Sequence, residues 1–429
     1  MNTSLLRRID ADEVPTLRRG PVDAETSAAA AAIVDDVRTR GAAAVREHAE
    51  RLGDLRPGEP LIREETELRN ALRALDAAQR GLLERTAARI RAFAEAQRRC
   101  LTDLTFPIVG GTAGHTAEPL QCAGCYAPAG RYPLPSSVLM TAVTARVAGV
   151  EEVWVASPRP TALTLAAAAV AGADALLAVG GAQAIAALAY GAAPVPPCDV
   201  IVGPGNRWVT AAKKLVAGTV SIDMLAGPSE LVILADGSAN PAVVAADLLA
   251  QAEHDADALP VLIALDSDLA VAVERELEQQ LRELPTADTA RTALANGFVV
   301  LAESIEAAAA LCDRLAPEHL HVVLRNAGTV ASRLRHYGAL FIGESSGEVL
   351  GDYGAGPNHV LPTGGTARST GGLSVLSFLR LRTWLRMDDV AGASALAEDA
   401  AEFARLEGLE AHARAAEHRM CRNHHRPMS

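Results

Sequence analysis

Ala175-Leu-Leu-Ala-Val-Gly-Gly-Ala-Gln183 is the stretch on which the fold is read. Five apolar residues end at a glycine pair, a polar residue follows, and an alanine-rich run continues to Tyr190. A short buried strand, a glycine corner and a helix fit that order. The same unit recurs on both sides. Val153-Trp-Val-Ala-Ser157 precedes a helical run from Thr161, and Asp199-Val-Ile-Val202 leads through Gly203-Pro-Gly205-Asn206 into a helix carrying Lys213 and Lys214. Strand and helix in alternation imply a parallel sheet with right-handed crossovers. Ligands on such sheets bind beyond the carboxyl ends of the strands, where both glycine corners fall, and glycine there lets a phosphate or ribose approach the backbone. Neither corner is a G-x-G-x-x-G fingerprint, so a tight turn explains the glycines equally well.

A second series begins at Glu230-Leu-Val-Ile-Leu-Ala235. Asn240-Pro241 opens a helix in the cap-then-proline order, and that helix runs to Gln251 and His254, which share a face. Pro260 to Leu265, Phe298 to Leu301, Leu320 to Leu324 and Ala339 to Ile342 read as strands, with a helix from Leu269 to Glu283. Residues 24–100 are helical in pattern, including Glu65 to Arg98, and a Gly/Pro-rich region, Phe106 to Pro135, follows. Ser136 or Ser137 is the expected cap of the helix through Ala148. The tail from Ser394 to Met420 is helical, and Gly408 is expected to break it between Glu407 and His412. The expected architecture is α/β: two incomplete Rossmann-like parallel-sheet domains with helical N-terminal and C-terminal segments. Its expected divisions are 1–105, mainly helical; 106–235, the first α/β domain; 236–375, the second α/β domain, with the most polar loops; and 376–429, a C-terminal helical segment.

Composition narrows the class. A chain of 429 residues is long enough for two to four cores, and hydrophobic residues make up 49% of it while aromatics make up 3%. Helices therefore pack through small side chains. A formal net charge of −12 argues against nucleic acid or an anionic membrane as partner and leaves a small solute. The N-terminus lacks a signal peptide's apolar core, which suggests a cytoplasmic protein. Thr161 to Val195 is too interrupted, by Asp174 and Gln183, to read as a membrane span. Six cysteines, Cys100, Cys122, Cys125, Cys198, Cys312 and Cys421, are too few for a disulfide scaffold, and Cys122-Ala-Gly-Cys125 has no second pair to complete a zinc site.

Chemistry concentrates at Pro317-Glu318-His319, where a helical run gives way to an apolar one. Proline disfavours helix in the residue before it, so Ala316 is expected to be extended. An imidazole can take a proton from an alcohol, and an adjacent carboxylate can orient the ring or activate water. Taken alone, Glu-His at a strand start is more often a solvated pair. Four further polar stretches supply Gln251 and His254, Asp352 and His359, Glu407 and His412, and Ser229. Three histidines, two carboxylates and an amide form the ligand set of a hard-to-borderline divalent metal rather than of a thiolate site. His424 and His425 lie in a basic tail and read as solvated.

Gly203-Pro-Gly-Asn206, Ile222-Asp-Met-Leu-Ala-Gly-Pro-Ser-Glu230, Ala316-Pro-Glu-His-Leu320 and Gly351 to Thr363, in this order, resemble the histidinol dehydrogenase family, and the likeness runs from Tyr126 to His412. The resemblance implies an NAD-dependent, zinc-containing enzyme that oxidises L-histidinol to L-histidine through an enzyme-held aldehyde. It implies Gln251, His254, Asp352 and His412 as metal and substrate ligands and Glu318 and His319 as the acid–base pair. It also implies Ser229, His319, His359 and Glu407 against the substrate, Tyr126, Gln183 and Asn206 against NAD, and a homodimer whose C-terminal segments complete the partner's site. Ala129 stands where the family has glycine, His321 where an acidic residue is more usual, and His115 in place of glutamine. A related dehydrogenase acting on another small polar alcohol, such as a sulfonated diol, is the nearest alternative. A metal-dependent hydrolase would leave the glycine corners without a task, and a catalytically dead binding module would leave the polar residues without one.

Overall fold

The computed structural model describes residues 4–16, 22–129 and 133–420. Cys421, His424 and His425, together with Gly130 of the Tyr126 motif, lie outside them. Contacts divide the chain into two compact units, one formed by Met1–Arg98 with Leu120–Phe378 and the other by Arg99–Pro119 with Leu379–Ser429.

The first unit holds two six-stranded sheets. Across the first, the order is Ile62–Glu64, Ala175–Leu177, Glu152–Ala156, Cys122–Tyr126, Val200–Val202 and Ser221–Ile222. All neighbours are parallel except the Ile62–Glu64 edge strand. Across the second, the order is Arg7–Arg8, Phe298–Leu301, Leu259–Ala264, Glu230–Ala235, His319–Val323 and Ala339–Ile342, parallel throughout. In each sheet the chain lays its first core strand centrally, adds two on one side, then crosses to the other. That is the doubly wound order, and the crossing places a crevice beside the central strand.

The sequence explains most of these elements directly. The helix Pro241–His254 starts with Asn240, whose side chain accepts from Ala242 N, and with proline in its first turn. Ala162–Ala171 presents alanine on nearly every face, and Ala166, Ala167, Ala168 and Ala171 are fully buried. Such a helix packs close to its neighbours because no long side chain holds it off.

Two expectations are corrected, and one stretch left unassigned resolves into strands. Leu104–Ile108 runs into the Gly/Pro-rich region from Phe106, which holds Gly111–Pro119 and the central strand Cys122–Tyr126. Small residues there reflect tight packing: a Cβ on Gly124 would stand 3.0 Å from Leu188 Cδ1. The helix to Ala148 begins at Pro135 with Leu134 at the cap position and no side-chain cap, so neither Ser136 nor Ser137 serves. Ala316 is left-handed, with φ 49° and ψ 58°, because it closes the helix Ile305–Leu315 by donating its N–H to Cys312 O.

The second unit contains an antiparallel sheet ordered Leu379–Met387, Gly111–Pro119, Leu104–Ile108, and the helices Val390–Leu406 and Glu410–Glu417. Gly408, at φ 76°, separates those helices as expected, with Glu407 before the break and His412 after it. No helix among the described residues is long and apolar enough to cross a membrane.

Candidate active site

Glu318 and His319 lie at the amino end of the second sheet, since His319 is the first residue of its strand and pairs in register with Leu231 of the strand beside it. Both are buried. Glu318 Oε2 accepts from Glu230 N at 2.9 Å. Burial nevertheless raises the Glu318 pKa.

Three carboxylates face the His319 ring. Nδ1 stands 3.6 Å from Glu348 Oε2 and 3.8 Å from Glu318 Oε2, and Nε2 stands 3.6 Å from Asp352 Oδ1. Burial opposes the charged ring, but the carboxylates outweigh it and lift the His319 pKa to about 10. Nδ1 also lies 3.2 Å from the Glu230 carbonyl, to which a proton on that nitrogen donates. Nε2 is buried without a hydrogen-bond partner.

Asp352 ends the short helix Glu348–Asp352, one turn after Glu348. Burial pushes the Asp352 pKa up, but His254 and His319 overcome it and hold the carboxyl well below the usual range. His254 Nε2 lies 3.7 Å from Asp352 Oδ2, and that contact, ahead of burial, raises the His254 pKa. His359 donates from Nδ1 to the Asp352 carbonyl at 2.9 Å, while Ser137 Oγ lies 3.4 Å from its Nε2, and burial lowers its pKa. Gln251 is fully buried, and neither of its amide atoms has a hydrogen-bond partner.

His321 sits two residues beyond His319 on the same face of the strand. Its Nδ1 lies 3.0 Å from Asp247 Oδ2 and its Nε2 2.9 Å from the Gly343 carbonyl. Asp247 is one turn before Gln251, so this buried pair joins the helix of Gln251 and His254 to the strand of His319.

Of the residues singled out in the sequence, Ser229, Gln251, His254, Glu318, His319, Asp352 and His359 all lie in the first unit, and Glu407 and His412 lie in the second. Tyr126 and Gln183 come together at the carboxyl end of the first sheet, where Tyr126 Oη accepts from Gly181 N at 3.2 Å. Asn206 caps the helix Arg207–Val216 through its side-chain oxygen, which leaves its exposed amide nitrogen for other partners. Sequence reasoning missed Glu348, although its position one turn from Asp352 was a usable signal. Burial, first of all, pushes Glu348 up to about 8.

Among the described residues no group of three His, Cys, Asp or Glu side chains forms a metal site unaided. A divalent cation nevertheless fits the amide-bearing set. Gln251 has a buried carbonyl oxygen without a donor, next along the helix from His254, which faces Asp352. One nitrogen and two oxygens suit zinc, manganese or cobalt.

Two doubly wound sheets, with a buried carboxylate–imidazole cluster at the amino end of one and a glycine corner at the carboxyl end of the other, define an α/β enzyme. A family model for histidinol dehydrogenase matches residues 17–420. Histidinol dehydrogenase of Thermus thermophilus is 51% identical over 347 residues, covering 81% of this chain and 84% of that protein. The Aromatoleum aromaticum histidinol dehydrogenase is 44% identical, covering 97% of this chain and 98% of its own. The crystal structure of histidinol dehydrogenase from Elizabethkingia anophelis superposes with a TM-score of 0.91 at 29% identity, covering 98% of this chain and 99% of that one. The chain belongs to the histidinol dehydrogenase family and is an oxidoreductase.

Proposed function

We propose that the protein oxidises L-histidinol to L-histidine with NAD, through L-histidinaldehyde, in the final steps of histidine biosynthesis. Family membership supports the substrate, and the buried His319 among three carboxylates is the observation that carries the chemistry. In the first oxidation His319 takes the hydroxyl proton at Nε2 while hydride leaves the carbinol carbon for the nicotinamide. The carbonyl of Glu230 and the Glu348 carboxyl group face the opposite nitrogen and so keep the ring turned to the substrate. Such a base contributes about 10²- to 10⁴-fold. In the second oxidation Glu318, whose proton affinity burial raises, activates the water that adds to the aldehyde. Loss of a second hydride then gives the carboxylate. Each histidinol yields two NADH.

Gln251, His254 and Asp352, with His412, would hold a zinc ion. When bound, such an ion would supply positive charge that offsets the Asp352 carboxylate and lowers the proton affinity of His319. Ser229, His359 and Glu407 would line the substrate. His359, kept neutral by burial and donating from Nδ1, offers Nε2 as an acceptor to an ammonium or imidazole N–H. Tyr126, Gln183 and Asn206 would contact NAD.

A homodimer accounts for the second unit, whose surface carries Leu381, Leu385, Phe403 and Leu406, each at least 58% exposed. Apolar side chains of that size gain by association, and the same association would bring Glu407 and His412 to a neighbouring site. The test is stoichiometric: zinc-loaded enzyme given limiting histidinol and excess NAD produces two NADH and one histidine per substrate consumed. One NADH, or none, overturns the reading.

A further inference from the structure

Asp54 comes from the loop after the helix Ala42–Arg51, far in sequence from every motif considered so far. Its Oδ2 accepts from Gly180 N at 2.9 Å and from Gln183 Nε2 at 3.1 Å. The glycine corner at the start of the helix Gly181–Tyr190 is therefore already occupied by a carboxylate, and the next N–H, of Gly181, is taken by Tyr126 Oη. A phosphate does not bind where a carboxylate holds the donors. This corner has been built for something uncharged.

The same place carries unspent hydrogen-bonding capacity. Ser157 Oγ, just beyond the strand Glu152–Ala156, and Gln183 Oε1 are buried without partners. Both bonds go to one oxygen of Asp54, which is only half-buried, and leave its second oxygen for a further partner. Gly180 abuts Pro158, which puts Asp54 at the ends of the second and third core strands of a doubly wound sheet. In dinucleotide folds an acidic residue near this end of the sheet accepts from ribose hydroxyls. Here no acid follows the second strand, where Ser157-Pro158-Arg159 stands instead.

Resting on the reading of this crevice as an NAD site, we infer that Asp54 determines dinucleotide specificity: its second oxygen accepts a ribose hydroxyl of NAD and repels the 2′-phosphate of NADP. Arg159 works against it. That guanidinium is exposed and close enough to act on the Asp54 charge, and an arginine at such a place attracts a 2′-phosphate. Preference for NAD then depends on the acid outweighing the base.

The test compares kcat/KM for NAD and NADP with histidinol in zinc-loaded wild type, Asp54→Asn and Arg159→Asp. Asparagine keeps an acceptor for Gly180 N–H, so the corner keeps its shape while the charge goes. The expected result is a fall of at least about tenfold in the NAD-to-NADP ratio for Asp54→Asn, carried by KM with kcat held. Arg159→Asp, an exposed change at a left-handed residue (φ 46°) that aspartate tolerates, is expected to lower kcat/KM for NADP and leave that for NAD in place. An unchanged ratio in a folded Asp54→Asn enzyme, or an NADP rate indifferent to Arg159→Asp, overturns the inference and leaves Asp54 as a helix cap. A wild type that reduces neither dinucleotide instead overturns the function proposed above.

Discussion

His321 Nδ1 lies 3.0 Å from Asp247 Oδ2 in the interior of the second sheet's flank, and this pair links three elements of the site. Asp247 belongs to the helix of Gln251 and His254, His321 to the strand of Glu318 and His319, and the Gly343 carbonyl, bonded to His321 Nε2 at 2.9 Å, to the turn leading to Glu348 and Asp352. Asp247→Ala leaves a fully buried imidazole without its carboxylate. Its expected cost is about 3–5 kcal/mol in urea unfolding, as for one partner removed from a buried pair. Asp247→Asn keeps an acceptor and is expected to cost less than half as much.

Glu348 Oε2 stands 3.6 Å from His319 Nδ1, the ring nitrogen opposite the one proposed to take the substrate's proton. Assayed at about pH 9, above the Glu348 pKa of about 8, Glu348→Gln keeps the shape but removes the charge that, with the Glu230 carbonyl, fixes the ring. Turnover at saturating histidinol and NAD is expected to fall about 10- to 100-fold, with zinc content unchanged by metal analysis. Unaltered turnover would mean that the Glu230 carbonyl suffices.

Acid sensitivity is predicted away from the active site. Hydrogen bonds from Arg40 and then His48 hold the Asp36 carboxyl at about 2, below its ordinary 3.8, although burial pushes the other way. A pKa depressed on folding adds stability that is complete above the unfolded value and is lost as pH falls through the folded one. Wild type should therefore melt above Asp36→Asn at pH 5, and the gap should close as pH approaches the folded value. A gap that widens in acid would contradict the assignment.

The sequence revealed the two α/β series because their strands are short apolar runs with glycine corners, as at Ala175–Leu177 and Val200–Val202. It concealed Cys122–Tyr126, whose cysteine, alanine and glycine carry little strand signal, although this strand is the centre of the first sheet. Glu318 and His319 were legible because Pro317 marks a corner between a helix and a strand. That Ala316 is left-handed rather than extended was not, since the need to close the preceding helix outweighed the local preference of a residue before proline. Asp54 gave no signal at all. Its partners, Gly180 and Gln183, lie in a distant part of the chain, and only the folded sheet brings the three together.

The central claim is that Nε2 of His319 takes the proton of the alcohol. Its most direct test is the steady-state rate of NADH formation from histidinol by His319→Asn, measured beside its zinc content and melting temperature. The account predicts a kcat lower by about 10²- to 10⁴-fold with zinc and folding retained. A His319→Asn enzyme that folds, holds zinc and turns over at the wild-type rate would contradict it.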